Sequence, residues 1–472
     1  MNVAEAEKSF ERTVTQCLPF NANTNQQEAI TLLAKFVFLK EQRSVFVLKG
    51  YAGTGKTNLM SALTQALTSV RWKSVLLAPT GRAAKVLSAY AKKPAQTIHK
   101  KIFRKIVTED GAVQFLPAEN LHRNTIFIVD ESSMISADSG DGGFNSLLEN
   151  LFEYVYSGTN CKLILIGDTA QLPPVGSEES AALNLEYLRA AFHLQIHSIE
   201  LKEVARQKLE STILANATAL RTEGLQCGSV PKLHTGADLV RLSGDELEDT
   251  LQTCLRKYGE ENVIIITRSN KRANLFNQNF RNRILLFEED LCAGDRLMIV
   301  KNNYFWLPED NRLASFIANG DMVEITKISR RQSLYDFNFC DCMIRFIDYS
   351  DLPEQEVKII TDSLYSDFPA LSQDQQKQLY QAVLADVAEE PSKAKRASYL
   401  RQSQHYQALQ VKFAYAITCH KSQGGQWPVV FIDQGYLNTE QIDPSFTRWL
   451  YTAITRATER VYLINFHQDF FN

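Results

Sequence analysis

The chain has 472 residues, 44% hydrophobic and 22% charged, with 51 basic against 54 acidic residues and a net charge of −3. No run of about 18 apolar residues is present, which excludes a membrane-spanning helix, and the polar N-terminus does not read as a secretory signal. At ~150 residues per domain the length predicts about three domains. The near-neutral charge does not advertise nucleic-acid binding, although a cleft can be basic beneath an acidic surface. Eight cysteines stand at positions 17, 161, 227, 254, 292, 340, 342 and 419 with no CxxC pair. They read as reduced thiols of a cytoplasmic protein. Cys340 and Cys342, two apart, suit one face of a strand.

Ser44–Lys49 is an apolar, β-prone run, and Asn58–Leu63 reads as the opening of a helix. Between them Gly50-Tyr51-Ala52-Gly53-Thr54-Gly55-Lys56-Thr57 matches G-x-x-x-x-G-K-[ST]. Strand, glycine turn and helix aim backbone N–H groups and a helix N-terminus at phosphate oxygens. Lys56 is placed to reach the β- and γ-phosphates of a nucleoside triphosphate, and the Thr57 hydroxyl to hold Mg²⁺.

Three further apolar runs follow, each leading into a polar turn. Ser74–Ala78 enters Pro79-Thr80-Gly81-Arg82, Thr125–Val129 enters Asp130-Glu131, and Lys162–Ile166 enters Gly167-Asp168-Thr169-Ala170-Gln171. Continuous runs of this kind suit strands buried on both faces of a parallel sheet. The chemistry then belongs at the carboxyl ends of those strands. Asp130 can hold the Mg²⁺ water shell, Glu131 can accept a proton from an attacking water, and the Gln171 amide can sense the γ-phosphate. Residues 1–205 form the first α/β domain on this reading, with an insertion at about 101–122. There Ile106–Phe115 carries Asp110-Gly111, a tight-turn signal for a β-hairpin.

A second α/β set covers 206–290 and 411–472. Its strands are predicted at Asn262–Arg268, Lys412–Thr418, Val429–Asp433 and Val461–Ile464, with a helix around Trp449–Arg456. The stretch 291–410 interrupts it. Short strand-like pieces at 295–300, 320–325 and 342–346 suit a small barrel, and 366–408 has a polar helical period. Arg206 and Arg456 are candidates for stabilising transition-state charge; either could equally be a surface arginine.

The ordered set Gly53–Thr57, Ala78–Ala84, Thr97–Lys100, Asp130–Ser132, Gly167–Val175, Thr418–Gly424 and Tyr451–Ala457 resembles the superfamily 1B DNA helicases of the RecD/Dda type. The resemblance covers about residues 18–466. It implies two RecA-like P-loop domains, an inserted β-hairpin that splits the duplex, and an inserted SH3-like barrel with helices. ATP and Mg²⁺ are the implied cofactors. Single-stranded DNA and duplex junctions are the implied partners of a monomer that moves 5′ to 3′. Gln27 corresponds to the adenine-reading glutamine, with Gln26 leaving a one-residue ambiguity. Gly53, Thr54, Gly55, Lys56 and Thr57 form the nucleotide cradle. Thr80, Arg82, His99, Thr418, His420 and Lys421 fall in strand-gripping motifs, where hydroxyls and cations hold phosphates without reading bases. Phe103 or Phe115 could serve as the wedge, or both could pack the hairpin base. Two other functions remain open: an RNA helicase of the same superfamily, and a strand translocase that displaces proteins without processive unwinding.

Overall fold

The computed structural model describes residues 2–41, 43–107, 113–138, 145–204, 211–224, 230–307, 316–349, 351–437 and 442–471. The run before the glycine turn forms β1 (Ser44–Gly50), and the next two strands are β2 (Lys73–Ala78) and β3 (Ala95–Thr97). β4 (Phe103–Val107) and β5 (Val113–Pro117) pair antiparallel as a separate two-stranded ribbon. The expected turn at Asp110-Gly111 lies outside the described residues. β6 (Arg123–Val129), β7 (Thr159–Gly167) and β8 (Gln195–Leu201) complete an all-parallel sheet of order β3-β2-β6-β7-β1-β8.

Alternation along these strands builds two cores. Phe46, Leu48, Ile126, Ile128, Ile164 and Ile166 face one side, against Ile30 and Leu33 of helix Thr24–Phe38. Val45, Val47, Phe127, Val129, Leu163 and Leu165 face the other, against Leu148 and Leu151 of helix Leu147–Ser157. Burial on both faces is why the runs are continuously apolar. Lys162 is a buried charge among them. Its buried ammonium donates to Phe36 O (2.6 Å), Val37 O (3.2 Å) and Leu39 O (2.7 Å), satisfying carbonyls at the end of helix Thr24–Phe38.

The second sheet has β9 (Leu239–Leu242) at one edge, a strand the sequence reading did not anticipate, beyond β10 (Val263–Thr267). Between β10 and the rest of that sheet stand β11 (Arg296–Ile299), β12 (Met322–Leu334), β13 (Phe337–Phe346), β14 (Gln355–Ile360) and β15 (Leu409–Phe413). They close a five-stranded barrel. Leu297, Ile299, Val323, Ile325, Cys340, Cys342, Ile344, Val357 and Val411 are buried in the shared core. β16 (Ala416–Thr418), β17 (Trp427–Asp433) and β18 (Ala457–Ile464) then return to give the parallel order β16-β10-β17-β18-β9.

The structure differs from the expected single strand at Lys412–Thr418. That run is two strands, β15 in the barrel and β16 in the sheet. Buried Asn277 makes the switch: its amide donates to Phe413 O (3.1 Å) and Ala416 O (2.9 Å), and its carbonyl accepts from Tyr415 N (3.1 Å) and Ala416 N (2.7 Å). Helices Gln373–Ala385 and Lys393–Gln402 lie beside the barrel. Leu379, Val383 and Leu400 pack there against Phe337, Phe339 and Ile360 in a small core of their own.

Candidate nucleotide cleft and strand-facing residues

The glycine turn leaves the carboxyl end of β1 and enters helix Lys56–Ala66. Gly53 and Gly55 sit at φ +77° and +86°, a region where a Cβ is strained. A Cβ on Gly55 would also lie 2.7 Å from Gln26 Nε2. Lys56 Nζ folds back onto Gly50 O (2.5 Å) and Tyr51 O (2.9 Å), lying across the loop. Thr57 follows it in the first turn of the helix.

The structure separates the two adjacent glutamines. Gln26 is the third residue of helix Thr24–Phe38 and closes a capping box with Asn23. Its remaining amide donates to Thr54 O at 2.9 Å, and it is buried. Gln27 is exposed and lines a surface hollow with Leu18, Phe20 and Ala22. Gln26, rather than Gln27, is the one that touches the loop.

Asp130 and Glu131 leave β6. Asp130 Oδ1 accepts the Glu131 N–H at 2.9 Å. Burial, reinforced by the Glu131 charge, pushes the Asp130 carboxyl well above its ordinary range, with Lys56 among the groups that pull it back. Glu131 itself sits at φ +52°, a conformation costing a non-glycine residue about 1 kcal/mol or more. Ser132 holds the turn, donating to Val129 O (3.0 Å) and accepting from Ile166 N (3.3 Å). After β7, Asp168 Oδ1 accepts from Ala170 N at 2.9 Å and Asp168 O from Gln171 N at 3.3 Å. Gln171 is buried, and its Oε1 has no hydrogen-bond partner. A buried acceptor left open is costly unless something fills it.

The second sheet meets this row directly. Arg456 follows helix Pro444–Ile454 and lies 4.0 Å from Glu131 Oε1, while its Nε donates to Thr452 O (3.0 Å). Tyr451 accepts from Ala52 N at 2.9 Å and donates to Asp168 Oδ2 at 2.6 Å. One cleft therefore gathers Lys56, Asp130, Glu131, Gln171 and Arg456. Arg206 lies outside the described residues.

The strand-motif residues stand at the other edge of each sheet. Thr80 follows β2 and caps helix Gly81–Ala91 through Ala83 N (3.2 Å). His99 lies just after β3 with its ring 5.8 Å from Phe103, and burial lowers its pKa. Thr418 ends β16, and exposed His420 and half-buried Lys421 follow. Burial brings Lys421 down to about 8. Arg82, expected among the strand-gripping residues, stacks its guanidinium 3.9 Å over the Trp427 ring of the second sheet. Phe103 packs against the first sheet's core; the Phe115 side chain lies outside the described ones.

The AAA domain family matches residues 21–235, which contain all of the first sheet. The UvrD-like helicase C-terminal domain matches 413–464, which contain β16 to β18. The ATP-dependent DNA helicase dda of Enterobacteria phage T4 is 25% identical across 93% of this chain and 98% of its own length. Together these matches support a superfamily 1B helicase. The RecD2 DNA helicase of Deinococcus radiodurans is 23% identical over 98% of this chain, which spans 54% of that relative. A solved Pif1 helicase from Bacteroides, in complex with ADP-AlF3 and ssDNA, is 15% identical with a TM-score of 0.48, covering 96% of this chain and 95% of its own.

The cleft also gathers residues that sequence reasoning passed over. Tyr451 and Thr452 lie inside a recognised motif in which only the arginine carried a charge signal. Gln423, which donates to Leu172 O at 2.6 Å, lies inside another such motif, Thr418–Gly424, and had no assigned role. Arg221 lies 4.0 Å over the Tyr51 ring, and nothing local in the sequence pairs residues so far apart.

Proposed function

We propose that this chain is an ATP-dependent helicase that moves 5′ to 3′ on single-stranded DNA, as a monomer, and separates the duplex ahead of it. The observation that carries this is the single cleft between two parallel sheets. A nucleotide cradle and acidic pair from one sheet face an arginine from the other. Lys56 and the amides of Gly53–Thr57 hold the triphosphate, and Thr57 and Asp130 hold Mg²⁺. Glu131 takes the proton of the attacking water, Gln171 orients that water, and Arg456, with Arg206, offsets the developing charge. Bound ATP supplies the free energy of closure, and Mg²⁺ offsets the charge of the triphosphate. Gln26 takes over the adenine-side role expected of Gln27, because it is the glutamine that reaches the loop.

Thr80, Arg82, His99, Thr418, His420 and Lys421 form the strand path across both sheets. The β4–β5 ribbon acts as the strand-separating hairpin. The barrel acts as the family's SH3-like insertion within 291–410, between the two parts of the second domain, 206–290 and 411–472. The first domain is 1–205. DNA repair, recombination or replication is the setting this activity suits.

The deciding experiment measures DNA-stimulated ATPase together with unwinding of tailed duplexes of both polarities, on DNA and RNA. Unwinding from a 5′ DNA tail is expected. Efficient unwinding from a 3′ tail would defeat the direction, and stimulation by RNA alone would defeat the substrate. Replacing residues 104–115 with a short Gly linker should spare DNA-stimulated ATPase and remove unwinding; unwinding retained would defeat the hairpin assignment.

A further inference from the structure

Buried between the sheets, the Tyr451 phenol makes two hydrogen bonds to the opposite side of the cleft. A neutral phenol has one proton to give and lone pairs to share. Here the O–H goes to Asp168 Oδ2 and a lone pair to the Ala52 N–H, so both bonds need the neutral form. Burial, chiefly, and Asp168 raise its pKa well above the ordinary range, which keeps it neutral. The next residue acts on the same segment. Thr452 Oγ1 accepts from Leu172 N at 2.9 Å, and Gln423 Nε2 donates to Leu172 O at 2.6 Å. The five residues Asp168–Leu172 are thus held at both ends from the second sheet. Between those ends sits Gln171, with its buried, open Oε1.

We propose that Tyr451, with Thr452 and Gln423, forms a positioning clamp that sets Gln171 and the phosphate loop only when the two sheets close. The inference rests on the helicase reading above and names a device that reading does not contain. Its logic is geometric. Tyr451 and Arg456 belong to the same helix and the turn that ends it. A phenol fixed to the Ala52 amide therefore also fixes the distance between Arg456 and the phosphate loop. The clamp touches segments that hold the nucleotide without supplying a reacting group. Its loss should lower turnover in the closed state and leave nucleotide affinity in place.

The test compares Tyr451→Phe, Thr452→Val and Thr452→Ser with the parent chain. Readouts are the dissociation constant of a fluorescent ATP analogue, and kcat and KM for ATP at saturating poly-dT. Tyr451→Phe keeps the ring and removes both bonds. Its kcat should fall about tenfold or more, as expected when buried hydrogen bonds are lost from the closed state, with analogue affinity within about threefold. Thr452→Val, which keeps the shape, should show the same split, and Thr452→Ser, which keeps the hydroxyl, should restore turnover. Unchanged kcat in both Tyr451→Phe and Thr452→Val would overturn the clamp, as would a loss confined to nucleotide affinity. A Tyr451→Phe chain that fails to fold leaves the Thr452 pair to decide. If poly-dT does not stimulate the parent chain, the helicase reading itself fails, a result distinct from any of these.

Discussion

Asp321 links the barrel to the strand-facing edge of the first sheet and offers a sharp pH test. It is 2% exposed; Oδ2 accepts from Ala318 N at 2.7 Å, and Oδ1 is buried without a partner. A Cβ on Gly81 would lie 2.7 Å from that Oδ1, so the carboxyl abuts the start of helix Gly81–Ala91. Around it stand Asp348, which Lys85 approaches at 3.6 Å, and the Tyr349 phenol; Arg82, next after Gly81 in the chain, is influenced by Asp348 and Arg296. Burial raises the Asp321 carboxyl from 3.8 to about 7, helped by Asp348 and opposed by the Ala318 N–H. A raised carboxyl means the folded state holds the proton more tightly than the unfolded one. Stability from this group is therefore full below pH ~4 and is lost as pH rises to ~7. The slope is about 1.4 kcal/mol per pH unit and the total about 4 kcal/mol. Asp321→Asn can keep the Ala318 bond and has no charge to bury. Native-state hydrogen exchange of the β12 and β13 amides, expressed as opening free energy, reads this locally. Between pH 5 and 8 the parent should lose about 3 kcal/mol more than the variant. Equal slopes in the two chains would refute the argument.

Three predictions concern the proposed chemistry. Glu131→Gln should keep ATP and DNA binding and lose hydrolysis by ~10²-fold or more; near-normal turnover would exclude Glu131 as the base. Arg456→Ala should abolish DNA stimulation more than it weakens ATP binding, and a loss of affinity at unchanged saturated turnover would make Arg456 a binding residue. Lys421→Ala, measured at pH 7 where the parent lysine is still charged, should lower the salt slope of poly-dT binding by roughly 0.7. An unchanged slope would place Lys421 off the strand path.

The adjacent glutamines show where sequence reading stops. Both stand beside the phosphate loop in sequence pattern, but only Gln26 occupies the capping-box position of its helix, which turns it inward. Helix phase decides such a choice, and a one-residue shift rotates a side chain by ~100°. Lys412–Thr418 is a similar case. Its β-prone residues mark extended chain truthfully, yet the division between barrel and sheet depends on Asn277, more than 130 residues earlier in the chain.

What the amino-acid order carried was local and periodic: the glycine turn between strand and helix, the apolar runs buried on both faces, and the polar residues at their carboxyl ends. Those signals need only neighbours within a few residues, so they survive in one dimension. The cleft itself did not lie within their reach. Arg456 beside Glu131, Tyr451 on Ala52 and Asp168, and Arg82 over Trp427 join residues between 283 and 399 positions apart. Such contacts exist only because two sheets meet across one crevice. Their hydrogen bonds are specified by the shape of both surfaces together, which no single stretch of the chain contains.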